Sequence, residues 1–211
     1  MDERYNMGVS HMKRKTTKEV IKETFLHQLS VMPLSKVTVK GIVEETEINR
    51  NTFYYYYPDI YAILEELLQE SLDKIIAEYD ETRSWEESFH LAISFVVENP
   101  KAIYHIYYSV SRDKLEKYIL SVSENVLNRF LKVIKPELKA KEEDRKLLAH
   151  FYSCALAEIV LTWIAGGMKE DPDQMIDRIG FLMDGSIEEA LARSEKENLK
   201  EHPELEKKER N

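Results

Sequence analysis

A chain of 211 residues with 43% hydrophobic side chains can bury one substantial core, which excludes the disordered and fibrous classes. Gly and Pro number six each against abundant Leu, Glu, Lys, Ile and Ala, so the expected fold class is all-α rather than a turn-rich sheet. The formal charge of -9 argues against a surface that binds nucleic acid everywhere, but it is unevenly placed: residues 1–60 hold nine basic and eight acidic side chains, leaving 21 basic and 31 acidic for the rest.

A near-neutral head with a basic start, on an acidic body, can meet phosphates locally while the body repels them elsewhere. Cys154 stands alone, which rules out an intramolecular disulfide framework and suits a reducing cytosol. No stretch reaches the roughly 18 apolar residues of a membrane span. The start, MDERYNMGVSHMKRK, lacks the apolar region of a signal peptide, so a cytoplasmic protein with no membrane partner is expected. Gly8 to Met12 looks like a cloning remnant, which would make Met12 the natural start.

In chain order, a first helix is expected from Thr16 or Thr17 to about Met32, with Ile21, Phe25, Leu29 and Met32 on one face and Pro33 closing it. Thr38 is placed to N-cap a short second helix carrying Val39, Ile42 and Val43. Residues 47–49 then turn tightly into a third helix, 50–56, in which the Asn49 side chain accepts from the Thr52 amide and Pro58 disfavours helical geometry at Tyr57. Two short helices joined by about three residues form a helix-turn-helix unit. The third helix holds most of a run of four tyrosines, which successive turns of about 100° point nearly all round the axis. They cannot all be core. Phe53 and Tyr57, four apart, share one face, whereas Tyr54 and Tyr55 require solvent or a partner.

A long helix from Asp59, with Ile63, Leu64, Leu67, Ser71, Ile75 and Tyr79 on one side, connects this head to the body. Further helices are expected at 85–98, 100–110, 114–135, 142–168 and 172–193, punctuated by Asn99-Pro100, Lys135-Pro136, Gly166-Gly167 and Asp171-Pro172. The last stretch, SEKENLKEHPELEKKERN, is too charged to pack and reads as a disordered tail. The expected organisation is a three-helix head over 12–58, a larger helical bundle over 59–193 and a tail over 194–211.

The stretch TVKGIVEETEINRNTFYYYYPDIYAIL, residues 38–64, resembles the amino-terminal DNA-binding region of the TetR family of transcriptional regulators, with Val39, Ile42, Ile48, Thr52, Phe53, Tyr54, Tyr56 and Asp59 at matching positions. It departs at Val43 and Thr46, where small alanines are usual, at Glu47, where a turn glycine is usual, and at Ile60, where a phosphate-contacting lysine is common. A positive φ at Glu47 would cost about 1 kcal/mol relative to glycine. RSWEESFHLAISFVVENPKAIYHIYYS and FYSCALAEIVLTWIAGGMKEDPDQM are similar to the carboxy-terminal region of a TetR subgroup that includes the activator of dihydroxyacetone kinase operons, through Asn99-Pro100, Trp163 to Met168 and Pro172.

The resemblance implies a recognition helix at 50–56 that enters the major groove of double-stranded operator DNA. Arg50 would read guanine, Asn51 adenine, and Thr52 and Tyr55 thymine methyls or hydroxyl partners. Tyr54 and Tyr56 would hold phosphates, as would Thr38 at the start of the second helix. Lys13, Arg14 and Lys15 would form an arm along the backbone or minor groove. It also implies a homodimer, for which Leu148, Phe151, Ala155, Ile159 and Thr162 form one candidate stripe and Ile176, Ile179, Met183, Ile187 and Ala190 another. An effector, small molecule or protein, would act on the body; Tyr104, Tyr108, Phe151 and Trp163, with Phe95, His105, Tyr107, Tyr152 and Met168 near them, are the aromatic and soft candidates to line a cavity. The alternative for each stripe is the monomer's own core.

The sequence holds no phosphate-binding glycine loop, no HExxH and no spaced cysteine pair, so neither a cofactor nor an enzyme is expected. His150 and Cys154, four apart, are read as a surface His and a buried Cys rather than metal ligands. The alternative function is a helical adaptor that kept the fold and lost tight DNA contact, which Glu47, Ile60 and the net negative charge would fit.

Overall fold

The computed structural model describes residues 15–78 and 85–203, and its regular elements there are helices: α1 (Thr17–Val31), a single 3-10 turn (Leu34–Lys36), α2 (Val39–Thr46), α3 (Arg50–Tyr56), α4 (Ile60–Glu78), α5 (Trp85–Glu98), α6 (Pro100–Tyr107), α7 (Arg112–Val133), α8 (Glu142–Ala165), α9 (Pro172–Met183) and α10 (Ser186–Glu201). The all-α expectation holds. Local chemistry sets the head's boundaries. Thr16 and Glu19 form a capping box, the Glu19 amide donating to the Thr16 hydroxyl at 3.2 Å and the Thr16 amide to the Glu19 carboxylate at 2.6 Å. The Gly41 amide donates to the Thr38 hydroxyl at 3.1 Å, opening α2. Gly41 also lets α2 close on α1: a Cβ there would stand 3.3 Å from Gln28 Oε1. Gln28, buried in that seam, donates to Glu45 at 2.8 Å.

The head core is Ile21, Phe25, Leu29, Leu34, Val37, Ile42, Phe53 and Tyr57, continued by Ile60, Ile63 and Leu64 of α4. Beyond the head, α4 packs on α7, and α7 pairs with α8 as the axis of the body, with α5 and α6 against them. Ser71 and the Tyr118 hydroxyl meet at 2.8 Å between α4 and α7. α8 is long and apolar enough to cross a membrane by composition alone; its buried side, including Ala149, Leu156, Val160, Trp163 and Ile164, is the centre of the bundle, which accounts for the apolarity. At the far end of α7 the Arg145 guanidinium donates to the carbonyls of Leu131, Lys135 and Leu138 at 2.7, 3.2 and 3.0 Å, satisfying groups that the helix end leaves unpaired.

Two sequence expectations are corrected at the carboxy-terminal end. The single helix over 172–193 is broken at Asp184 and Gly185, the latter at φ +71°, into α9 and α10. Residues 194–201, expected as disordered tail, continue α10 and are packed: Lys139 donates its amide to Glu195 at 2.8 Å, its carbonyl accepts from Asn198 at 2.7 Å, and buried Ser194 donates to Asp144 at 2.5 Å. The charged residues pair with a loop more than 50 positions earlier. Residues 204–211 lie outside the described residues.

Head and body are clamped through α1. Lys18 meets Glu66 of α4 at 2.8 Å, Lys22 meets Glu70 at 2.6 Å, and His105 of α6 contacts the Leu29 carbonyl through Nδ1 at 2.6 Å. Burial works against the charge on Lys22, but the Glu70 and Glu66 carboxylates outweigh it and hold its pKa above the ordinary value. Burial likewise pushes Glu66 up, and Lys18 and Lys22 outweigh it and hold the carboxyl below its ordinary 4.5.

A depressed carboxylate adds stability that is fully present above its unfolded value and is lost as pH falls through the folded one. Thermal unfolding between about pH 6 and pH 3 should therefore show a steeper loss for the wild type than for Glu66→Gln, which starts from a lower midpoint. Arg145→Ala should cost about 2 kcal/mol in denaturant unfolding, since it strips charge-assisted hydrogen bonds from three carbonyls.

Candidate nucleic-acid interface

The turn between α2 and α3 depends on Glu47, which adopts the left-handed conformation (φ 56°, ψ 20°) usually left to glycine. Asn49 then accepts from the Thr52 amide at 2.8 Å and starts α3. α3 is two turns long and has one buried face. Phe53 is fully buried in the head core and Tyr57, just past the helix end, is almost so, their rings 6.2 Å apart. The Tyr57 hydroxyl is buried without a well-formed hydrogen bond; burial, and then the nearby Glu66 carboxylate, push its pKa up.

The other tyrosines point outward, with 54% of Tyr54, 82% of Tyr55 and 37% of Tyr56 exposed. Tyr54 packs edge-on to Phe53 at 5.6 Å and Tyr55 edge-on to Tyr56 at 5.0 Å, so the exposed phenols stand on a braced aromatic base. Arg50 and Asn51 are exposed and carry neither an ion pair nor a side-chain hydrogen bond among the described residues. Donors and acceptors suited to base edges therefore sit free on the first turn of α3. Thr52 is half-buried, and its hydroxyl donates to Asn49 at 3.1 Å, which leaves it as an acceptor and a methyl group.

Thr38 is exposed at the start of α2, its hydroxyl oxygen accepting from Gly41. Two cations beside it were not among the sequence candidates: Lys36, exposed without an ion-pair partner among the described residues, and Lys40, 3.7 Å from Glu44. Their signal was proximity to the second helix's cap. Lys15 lies against Glu23 at 2.7 Å, so its charge is already partly matched, and Lys13 and Arg14 fall outside the described residues. Lys18 turns inward, over the Tyr57 ring at 5.6 Å and onto Glu66. Ile60, standing where a phosphate-contacting lysine was expected by resemblance, is a buried core residue.

In the body, the Tyr104 and Tyr108 rings meet at 4.8 Å, but the four effector candidates do not converge on one cavity. Phe151 is 63% exposed on the outer face of α8, and Trp163 is buried with its indole N–H donating to the Glu170 carbonyl at 2.9 Å. Tyr104 lines an open groove with Ser30, His105 and Met168, while the Tyr108 hydroxyl donates to the Ala165 carbonyl at 3.1 Å. A partly enclosed cavity of about 80 Å³ lies elsewhere, between α7, α8 and the α9–α10 turn, with Tyr152 in its wall. Of the second dimer stripe, Ile176 is fully buried and Ile179 and Ile187 pack on the core, so these members fill the monomer, while Met183 is exposed. Exposed apolar surface lies at Phe151 of the first stripe and Met183 of the second, joined by Leu147 of α8 and by Phe181 and Leu182 of α9. Cys154, expected buried, is exposed with its Sγ 3.7 Å from His150 Nε2, and no group of three metal-ligating side chains forms among the described residues.

Residues 83–185 match a TetR family model described as a transcriptional regulator C-terminal region. Among solved structures, the dihydroxyacetone kinase operon activator DhaS is similar at a TM-score of 0.69 and 17% identity, over 81% of this chain and 96% of its own. A fatty acid degradation regulator, FadR from Bacillus halodurans, is similar at 0.60 and 20%, over the same 81% and 96%. No curated protein matches the chain. At these identities the two structures speak for the fold, and the matched C-terminal region speaks for the family. The C-terminal region thus matches a TetR-family model, and it is carried on a fold shared with these regulators, behind a helix-turn-helix head.

Proposed function

We propose that the chain binds operator DNA as a homodimer, α3 of each copy entering the major groove, and that an effector acting on the body controls the affinity. The observation that supports this most is α3 itself: a helix whose buried face is spent on Phe53 and Tyr57, leaving Arg50, Asn51, Tyr54, Tyr55 and Tyr56 outward and largely uncommitted. Arg50 and Asn51 discriminate bases, and Tyr54 and Tyr56 donate to phosphates on either side. Thr38, Lys36 and Lys40 hold the backbone at the start of α2. The acidic body keeps the duplex on the head.

One head spans few base pairs, so two copies act on an inverted repeat with recognition helices about 34 Å apart. The exposed apolar side chains of α8 and α9 supply the self-complementary surface, two helices from each copy forming a four-helix bundle. An effector that favours one head separation over the other shifts the population between DNA-competent and incompetent dimers. The clamp of α1 on α4 and α6 carries that shift to the head. The resembled regulators act in transcriptional control, of a dihydroxyacetone kinase operon in one case and fatty acid degradation in the other, and the same soluble, cytoplasmic mode of action is proposed here.

Selection from a random duplex library at fixed salt should enrich an inverted repeat; a library returned unchanged contradicts the reading. On the enriched duplex, Tyr54→Ala should weaken binding about tenfold for all sequences alike, whereas Asn51→Ala should relax discrimination at one base pair per half-site by about 1–3 kcal/mol. Light scattering at micromolar concentration should give a dimer for the wild type and a monomer for Phe181→Glu, and a monomeric wild type removes the dimer from the account.

A further inference from the structure

The cavity between α7, α8, α9 and α10 has the features of a ligand site. Its walls are apolar: Leu127 and Phe130 from α7, Leu156 from α8, Ile179 from α9 and Ile187 from α10. Its rim carries two carboxylates, Asp184 and Glu188, that meet no cation among the described residues. By contrast, Glu65 and Glu70, which line grooves beside α4, are matched by Lys114 and Lys22. Two unmatched anions at the mouth of an apolar pocket select a ligand with one positive charge and an apolar body.

The volume sets its size. A cavity of about 150 Å³ takes benzene, so about 80 Å³ takes about three carbon atoms. Drug-sized ligands, which need roughly 300 Å³ or more, do not fit. We infer that this cavity binds a short-chain primary amine, its alkyl part among Leu127, Phe130 and Leu156 and its ammonium against Asp184 and Glu188. The Tyr152 hydroxyl, 2.9 Å from Ser186, ties α8 to the first turn of α10 beside the cavity.

The site also explains the break that separates α9 from α10. A helix continued through Asp184 and Gly185 would not place these two carboxylates in a turn over the cavity; Gly185 at φ +71° makes that turn. An occupant touches both helices across the break, and α9 carries Phe181 and Leu182 of the proposed dimer surface. As an effector site the cavity rests on the regulator reading above; as a binding site it does not.

The test is titration calorimetry and thermal unfolding of the full chain with n-propylammonium chloride, against methylammonium, 1-propanol and propionate. Saturable one-to-one binding of propylammonium is expected, with a raised unfolding midpoint. Methylammonium and propanol should each bind at least tenfold more weakly, and propionate should not bind. Glu188→Gln, which removes one charge at constant shape, should lose at least tenfold in affinity with its unliganded midpoint retained, and Leu156→Phe should block binding by filling the cavity. Absence of saturable binding to the wild type, propanol equal to propylammonium, or an unchanged affinity in Glu188→Gln overturns the site. Enrichment of an inverted repeat without amine binding removes this site and leaves the regulator; amine binding without enrichment supports the site and removes the regulator.

Discussion

Two aromatic side chains four positions apart set the geometry on which the head depends. Phe53 and Tyr57 bury one face of α3 in the core of α1, α2 and α4. Two turns of helix are too short to persist alone, so this burial and the Asn49 cap are what hold the segment helical. Because the helix repeats every 3.6 residues, anchoring that one face obliges Asn51, Tyr54 and Tyr55 to face away, while Arg50, a turn before Phe53, is exposed by its place at the helix start. The exposure of three phenols is then a consequence of packing, and it is this surface that the proposed function sets against a duplex.

The link from body to head combines interactions of unequal weight. Each fully buried aromatic contributes about 1.5–3 kcal/mol, whereas a solvent-accessible ion pair contributes about 0–1 kcal/mol. The apolar seam therefore decides where α1 sits, and Lys18, Lys22, Glu66 and Glu70 tune how firmly it is held. His105 adds a directional bond from α6 to the end of α1, at the Leu29 carbonyl. The proposed coupling therefore has a contact from α6 to the first helix of the head that does not involve α3. That suits a device in which head spacing, not head structure, changes.

The head was legible in the sequence because its signals are local. Thr16, Thr38 and Asn49 cap helices within three residues of themselves, Pro33 and Pro58 mark ends, and the 3.6-residue repeat sorts Phe53 and Tyr57 from Tyr54 and Tyr55. Glu47 was readable as a strained turn position for the same reason. The body was legible in its helices and much less in its surfaces. An apolar stripe looks the same whether it meets its own core, as Ile176 does, or solvent, as Phe151 does. The packing of residues 194–201 was hidden because their partners are backbone groups of residues 139 and 141, supplied by a distant loop. The cavity at the α9–α10 turn is not legible in the sequence because its walls come from four helices, and no single periodicity records it.

The central claim is that two copies of α3 stand outward at a separation that meets successive major grooves. A dipolar distance measurement between spin labels placed at position 55 of the two protomers, on a bound inverted-repeat duplex, tests it most directly. The account predicts a distribution centred near 34 Å, one turn of B-DNA, within the reach of the labels. A distribution incompatible with that spacing, or no coupling between labels in the bound state, would contradict it.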